Sequence, residues 1–167
     1  HQDDAGPTWQ SLFTLVNSAN LIIKYVPEIE FASEDRKNNI LAEAYAMRAY
    51  TYFVMTKTWG DLPLRQEPTE SENPEFTQIE RTPQSEIFQF IKGDIDQALQ
   101  LFPDNSYAEN KMFWSNPATN ALKGEVYLWT AKQMGGGTAD LQTALTALEE
   151  IQTTNVSLLD NFEDVFD

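Results

Sequence analysis

Apolar residues recur at spacings of three and four along most of the 167-residue chain. This spacing predicts α-helices that each bury one face. The first apolar stripe spans 9–26, and Pro27 is expected to end that helix because proline cannot continue the hydrogen-bond ladder. The second spans about 35–59 and is apolar on most of its circumference, which is typical of a helix packed between others. Gly60 is expected to cap it, and Pro63 to prevent its continuation.

A polar, acidic stretch over 65–81 contains two prolines and is interpreted as a loop. The third helix should begin with Thr82 as N-cap and Pro83 in the first turn. Its apolar face carries residues such as Ile91, and Pro103 is expected to end it.

The fourth helix repeats this kind of start at Asn116 and Pro117 and should close at the glycines 135–137. A fifth helix is expected over about 139–153. The tail beyond it is apolar in part and has no clear helical pattern.

No window of the sequence alternates with a period of two, so almost no sheet is expected. We therefore predict an all-α fold of about five helices, arranged as tetratricopeptide-like antiparallel hairpins in an α–α superhelix. The odd helix count leaves the last helix without a partner. Together with a start other than Met, this predicts that 1–167 is a single helical domain from a longer protein.

The charge balance narrows the classes of partner. Lys and Arg number 11 and Asp and Glu 26, giving a net charge of −15. Such a field repels phosphate backbones, which argues against nucleic-acid binding. No apolar run approaches the ~20 residues of a membrane span, and the first residues do not resemble a signal peptide.

The inventory of catalytic side chains is poor. There is no cysteine, and His1 is the only histidine, so neither a nucleophile–base pair nor a His/Cys metal site is expected. The glycines 135–137 lack the Lys-Ser/Thr of a phosphate-binding loop. A glycoside hydrolase would need two carboxylates either about 5 Å or about 6.5–9.5 Å apart in one cleft. The nearest acidic pairs are interpreted as solvated faces: Asp94 with Asp96, Glu149 with Glu150, and Asp160 with Asp164. We therefore predict no enzymatic activity, no metal and no cofactor.

Two charged residues, Glu43 and Arg48, lie within the apolar second helix. An arginine cannot lose its charge and is costly to bury alone. A spacing of five places the two on different faces, so each is expected to have its partner elsewhere. A structural role is favoured for both.

Aromatic residues are the best candidates for ligand contact, because their rings can stack on sugars. Trp9, Tyr52, Trp59 and Trp129 lie on helical stripes and are expected in the core. Tyr107, Phe113 and Trp114 fall in a predicted loop, and Tyr107 and Trp114 are taken as candidate substrate-binding residues.

The second helix and its exit carry a longer signature. The run over 43–53, Glu-Ala-Tyr-Ala-Met-Arg-Ala-Tyr-Thr-Tyr-Phe, is followed over 59–64 by Trp-Gly-Asp-Leu-Pro-Leu. This resembles the SusD/RagB family of outer-membrane nutrient-binding lipoproteins. The flanking helices agree in order, including Trp9 to Asn20, Arg81 to Ala98 and Asn120 to Leu128. The matched motif residues are read as scaffold: Glu43, Arg48, Trp59, Gly60, Asp61 and Pro63.

The resemblance implies a lipid-anchored parent protein on the outward face of the outer membrane, paired with a SusC-like TonB-dependent transporter. It also implies a glycan or peptide ligand and no catalysis, with this portion mainly scaffold and facing the transporter. The lipidated cysteine of the family is absent from this chain. The alternative is a generic helical-repeat adaptor that binds a protein or peptide partner in a groove.

Overall fold

The computed structural model describes residues 9–107 and 112–154, which form a mostly helical structure. In chain order the elements are α1 (Trp9–Tyr25), a 3₁₀ turn (Val26–Glu28), α2 (Glu34–Trp59), β1 (Leu62–Pro63), α3 (Pro74–Thr77), β2 (Arg81–Thr82), α4 (Gln84–Leu101), α5 (Asn116–Gln133) and α6 (Gly137–Gln152). The strands pair antiparallel over two residues each. The predicted all-α fold of about five long helices with almost no sheet is confirmed.

The long helices pack in the order α1, α2, α4, α5 and α6, each against the next. Neighbours run antiparallel, as contacts between α2 and α4 illustrate. Gln84 at the start of α4 donates to the Thr56 carbonyl near the end of α2, whereas Asp94 meets Arg48 at mid-helix. This stacking covers α2 on several sides, as its all-round apolar pattern predicts.

Helix α2 supplies the centre of the hydrophobic core. Its Phe53 ring is fully buried and lies edge-on to Phe88 of α4 and to Trp129 of α5, at centroid distances of 6.1 and 6.4 Å. Ala42 and Ala46 are also fully buried and pack near Phe102, because small side chains let the helices approach closely.

The exit of α2 follows the prediction, but the start of α4 does not. Gly60 adopts φ 72°, and its N–H donates to the Thr56 carbonyl, so it is the predicted C-cap. Thr82 is not the N-cap of the next helix, since it pairs with Leu62 in the two-stranded ladder. The cap comes from Asp61 instead, whose Oδ1 accepts from the Gln84 backbone N–H at 2.8 Å.

The start of α5 differs from the prediction by one residue. Its N-cap is Ser115 rather than Asn116, since the Ser115 hydroxyl accepts from the Ala118 N–H. The predicted close at the glycines is confirmed: α5 ends at Gln133 and Gly135 has φ 78°. That left-handed conformation favours glycine.

Replacement of Gly93 by alanine is expected to stabilise the chain by about 0.5–1 kcal/mol, because glycine in a helix interior loses more backbone entropy on folding. Gly93 is exposed within α4, and an added Cβ would meet nothing within 4 Å. Urea unfolding measures the change.

The matched control is Gly124→Ala in α5. A Cβ there would lie 2.7 Å from Leu148 Cδ2, so Leu148 must move and the gain should shrink or vanish. Equal gains at the two positions would contradict this packing.

Candidate functional site

A buried ion pair lies at the centre of the helical stack. Arg48 of α2 donates from Nε and Nη2 to the two carboxylate oxygens of Asp94 in α4, at 2.7 and 2.8 Å. Its Nη1 donates to Asn20 Oδ1 of α1 at 2.6 Å and to the Gln66 carbonyl at 3.2 Å. One guanidinium therefore joins three helices to the chain segment that leaves α2.

This ion pair is almost completely shielded from solvent. Arg48 is 5% exposed and Asp94 4%, and the guanidinium carbon lies 4.8 Å from the Phe90 ring centroid and 5.4 Å from that of Tyr45. Burial raises the pKa of the Asp94 carboxyl, and the hydrogen bonds from Arg48 act in the opposite direction. Removal of either partner would leave an uncompensated buried charge, which is strongly destabilising.

Side chains of α1 also hold the backbone of residues 62–70, called the 62–70 segment below. Asn20 Nδ2 donates to the carbonyls of Arg65 and Glu67 at 3.1 and 3.0 Å. Asn17 Oδ1 accepts from the Thr69 N–H at 2.7 Å. Beyond Pro63, where the two-residue ladder ends, the conformation of this segment is thus set by side chains of α1 and α2.

The Tyr52 hydroxyl and the end of α1 add to this support. Tyr52 accepts from the Arg65 N–H at 2.7 Å, and burial raises its pKa to about 12. It therefore stays a neutral phenol at physiological pH. At the far end of the segment, Glu70 accepts hydrogen bonds from Lys24 and Tyr25.

The six motif residues all make internal contacts. Arg48, Gly60 and Asp61 act as described above, and Trp59 packs against the hydrophobic core. Pro63 pairs with Arg81 in the small ladder. Glu43 differs from Arg48, because its partner lies one turn earlier in the same helix: Asn39 Nδ2 donates to its carboxylate at 2.6 Å.

An apolar groove of about 240 Å³ runs between α1 and α2. This α1–α2 groove is lined by Leu15, Ser18, Ala19, Ile22, Ile40, Glu43, Ala44, Met47 and Trp114. Trp114 is half-buried, packs against the core and lies 5.6 Å from the Tyr50 ring centroid. Burial raises the pKa of the Glu43 carboxyl at the rim.

The two candidate ligand residues do not share this groove. Tyr107 is half-buried and is not among the groove residues. Phe113, beside Trp114, is 55% exposed. Residues 108–111 between them lie outside the described part of the chain.

The neighbouring acidic residues Asp94 and Asp96 each accept from a different basic side chain, and Asp94 is buried rather than on a solvated face. Asp94 is engaged by Arg48, while Asp96 accepts from Lys123 at 2.8 Å. Within 9–107 and 112–154, no three His, Cys, Asp or Glu side chains are placed to hold a metal ion. In the same residues no helix is long and apolar enough to cross a membrane. His1, Asp160 and Asp164 lie outside the described residues.

Sequence reasoning identified Arg48 but not its partners Asn20 and Asp94. A signal for both was present, since each is a polar residue on the apolar stripe of its helix. Asp94 stands beside Ile95 and three residues after Ile91, all buried. A polar residue at such a position must find a hydrogen-bond partner inside the protein.

Comparison with known proteins gives a consistent result. The model of the SusD-like family, described as starch-binding and associating with the outer membrane, matches residues 1–128. A SusD-like protein of Bacteroides ovatus is 27% identical over 164 residues, which cover 95% of this chain and 29% of that protein.

Solved structures of similar proteins share the fold. Bacteroides fragilis NanU is 42% identical with a TM-score of 0.86, over 96% of this chain and 32% of that one. A laminarin-binding SusD-like protein is 26% identical with a TM-score of 0.79, over 94% of this chain and 33% of that one. The chain thus spans about a third of the length of the proteins it resembles.

Proposed function

The chain belongs to the SusD-like family, and on that basis we propose that it forms the helical scaffold of a non-catalytic, glycan-binding component of an outer-membrane nutrient-uptake complex. The family description names starch binding and the outer membrane, and one similar structure is of a laminarin-binding protein. Both support a glycan as the ligand class of the parent protein.

The scaffold assignment rests on the motif residues, because they make their contacts within the protein. Arg48 has its hydrogen bonds inside the helical stack, and Asp61 caps α4. A ligand-binding arginine would instead present free donors to a cleft. These charged residues therefore support the fold and the 62–70 segment rather than the ligand.

We further propose that the parent protein is held at the outward face of the outer membrane by a lipid anchor and pairs with a SusC-like TonB-dependent transporter. This follows what the family implies. Purification of the tagged parent from outer membranes in mild detergent should yield such a transporter in stoichiometric amount. Recovery without any transporter would contradict the pairing.

A rival function is favoured by one observation, the α1–α2 groove. Its lining is mainly aliphatic with one tryptophan, which suits the apolar face of a peptide or helix. In that case the chain would be a helical-repeat adaptor for a protein or peptide partner.

Calorimetric titration separates these functions. The parent protein and the 167-residue chain are each titrated with soluble glycans and with short peptides. Glycan binding by the parent, with none or much weaker binding by the chain, is the expected result. Peptide binding by both without any glycan binding would favour the adaptor. Strong glycan binding by the chain itself would contradict a purely scaffolding role and make Tyr107 and Trp114 the first residues to replace.

A further inference from the structure

A second concave surface, distinct from the α1–α2 groove, lies where α1 meets the 62–70 segment. This cavity of about 380 Å³, called the α1 cavity, is lined by residues of the first half of α1, together with Pro63, Arg65 and Thr69. Its volume falls within the range of about 300–1,000 Å³ of small-molecule sites.

The charge of the α1 cavity differs from that of the rest of the chain. The protein carries 26 acidic residues, yet among the described residues no Asp or Glu lines this cavity, and Arg65 is the one charged residue there. Arg65 is itself held in place, donating to the Thr69 hydroxyl at 3.0 Å and to the Thr77 carbonyl at 2.8 Å. The remaining polar groups are neutral amides and hydroxyls.

The hydrogen bond of Asn17 to the 62–70 segment uses its side-chain oxygen and leaves its amide donor available. Because the Thr69 N–H donates to Asn17, the side-chain oxygen must face Thr69, and the amide NH₂ points away from that bond. Within 9–107 and 112–154, neither the Asn17 NH₂ nor the Gln10 side-chain amide has a hydrogen-bond partner. Two amide groups and the Thr14 and Thr69 hydroxyls thus border one cavity.

Apolar carbon surface completes the lining. Phe13 is half-buried and packs on the hydrophobic core, and Pro63 is fixed in the small ladder. The amides, hydroxyls and apolar surface of the described lining match a sugar ring, which offers hydroxyls that donate and accept and a face of C–H groups. A peptide N-terminus is a poorer match, because among the described residues no carboxylate lines the cavity to pair with its ammonium group.

We propose that the α1 cavity is a subsite for a neutral saccharide unit, with Gln10 and Asn17 as hydrogen-bonding residues. The 62–70 segment forms one wall, so the buried Arg48 and Asn20 contacts act on this subsite by fixing that wall. The proposal rests on the proposed function, since it places part of the glycan contact of the parent protein within this chain.

Two substitutions in the full-length parent test the subsite by calorimetry with malto-, laminari- and xylogluco-oligosaccharides. Gln10→Ala removes one amide and should weaken binding about 3- to 10-fold, the equivalent of one hydrogen bond. Thr14→Phe places a ring in the cavity from an exposed helical position and should weaken binding more than tenfold.

The chain offers matched controls on α6. Gln142 and Thr143 line another cavity, and Thr143 bonds to the carbonyl four residues earlier, as Thr14 does. Gln142→Ala and Thr143→Phe should leave affinity within twofold of the parent.

The outcomes separate this subsite from the proposed function. Glycan affinity that is unchanged by Gln10→Ala and Thr14→Phe, or reduced equally by the α6 controls, overturns the subsite and leaves the parent a glycan-binding protein. A parent that binds none of the oligosaccharides contradicts the proposed function and the subsite with it. Binding of a tripeptide in place of any glycan, weakened by Thr14→Phe, overturns the saccharide assignment.

Discussion

Arg48→Met is expected to lower the free energy of unfolding by about 3–5 kcal/mol, the usual cost of removing one partner of a buried ion pair. Asp94 would keep its burial but lose both hydrogen bonds from the guanidinium. Asn20 Oδ1 and the Gln66 carbonyl would each lose a donor as well. Urea unfolding of the 167-residue chain, followed by circular dichroism, measures the loss.

Two controls show whether the effect comes from the buried charge. Lys57→Met breaks an ion pair with Glu125 whose side chains are 28% and 57% exposed, and should cost only about 1 kcal/mol. The double change Arg48→Met with Asp94→Leu should cost less than Arg48→Met alone, since no charge remains unpaired. A loss below about 1 kcal/mol for Arg48→Met would contradict the burial of this pair.

Asn20→Leu is the second large effect, with an expected loss of about 3 kcal/mol, because each buried polar group left unsatisfied costs about 1–3 kcal/mol. Asn20 is 2% exposed. Its amide donates to the carbonyls of Arg65 and Glu67, and its oxygen accepts a hydrogen bond from Arg48. Leucine supplies none of these bonds, so the 62–70 segment should also open more often.

Hydrogen–deuterium exchange at residues 62–70 distinguishes local opening of this segment from a general loss of stability. Exchange should quicken there more than in α5 and α6. The matched control is Asn39→Leu, since the half-buried Asn39 amide donates to Glu43 of the same helix and, among the described contacts, makes no bond to the 62–70 segment. Equal effects of the two changes, or a uniform rise in exchange, would contradict the role of Asn20.

The helices could be predicted from the sequence because their signals are local. Apolar spacing, Pro27 and Gly60 act within one or two turns, and the helices follow them closely. The start of α4 could not be predicted, because its cap Asp61 lies 23 residues before Gln84. Only the antiparallel ladder that engages Thr82 brings the two together.

The functional surfaces were harder to predict for the same reason. Arg48 meets Asn20 and Asp94 across sequence separations of 28 and 46 residues. The loop aromatic Trp114 could be named as a candidate, but its place against α1 and α2 depends on the packing of the whole stack. The α1 cavity could not be predicted, because Gln10 and Asn17 lie on one helix and the opposite wall comes from residues 63–69 of a distant segment.

The most direct test of a non-catalytic binding protein follows both the binding and the fate of the same glycan. The parent protein is titrated by calorimetry with an oligosaccharide from the panel, and the mixture is then kept for hours and analysed for chain length and new reducing ends. The account predicts saturable binding and an oligosaccharide recovered unchanged. Shortened products, or the absence of binding to every glycan, would contradict it.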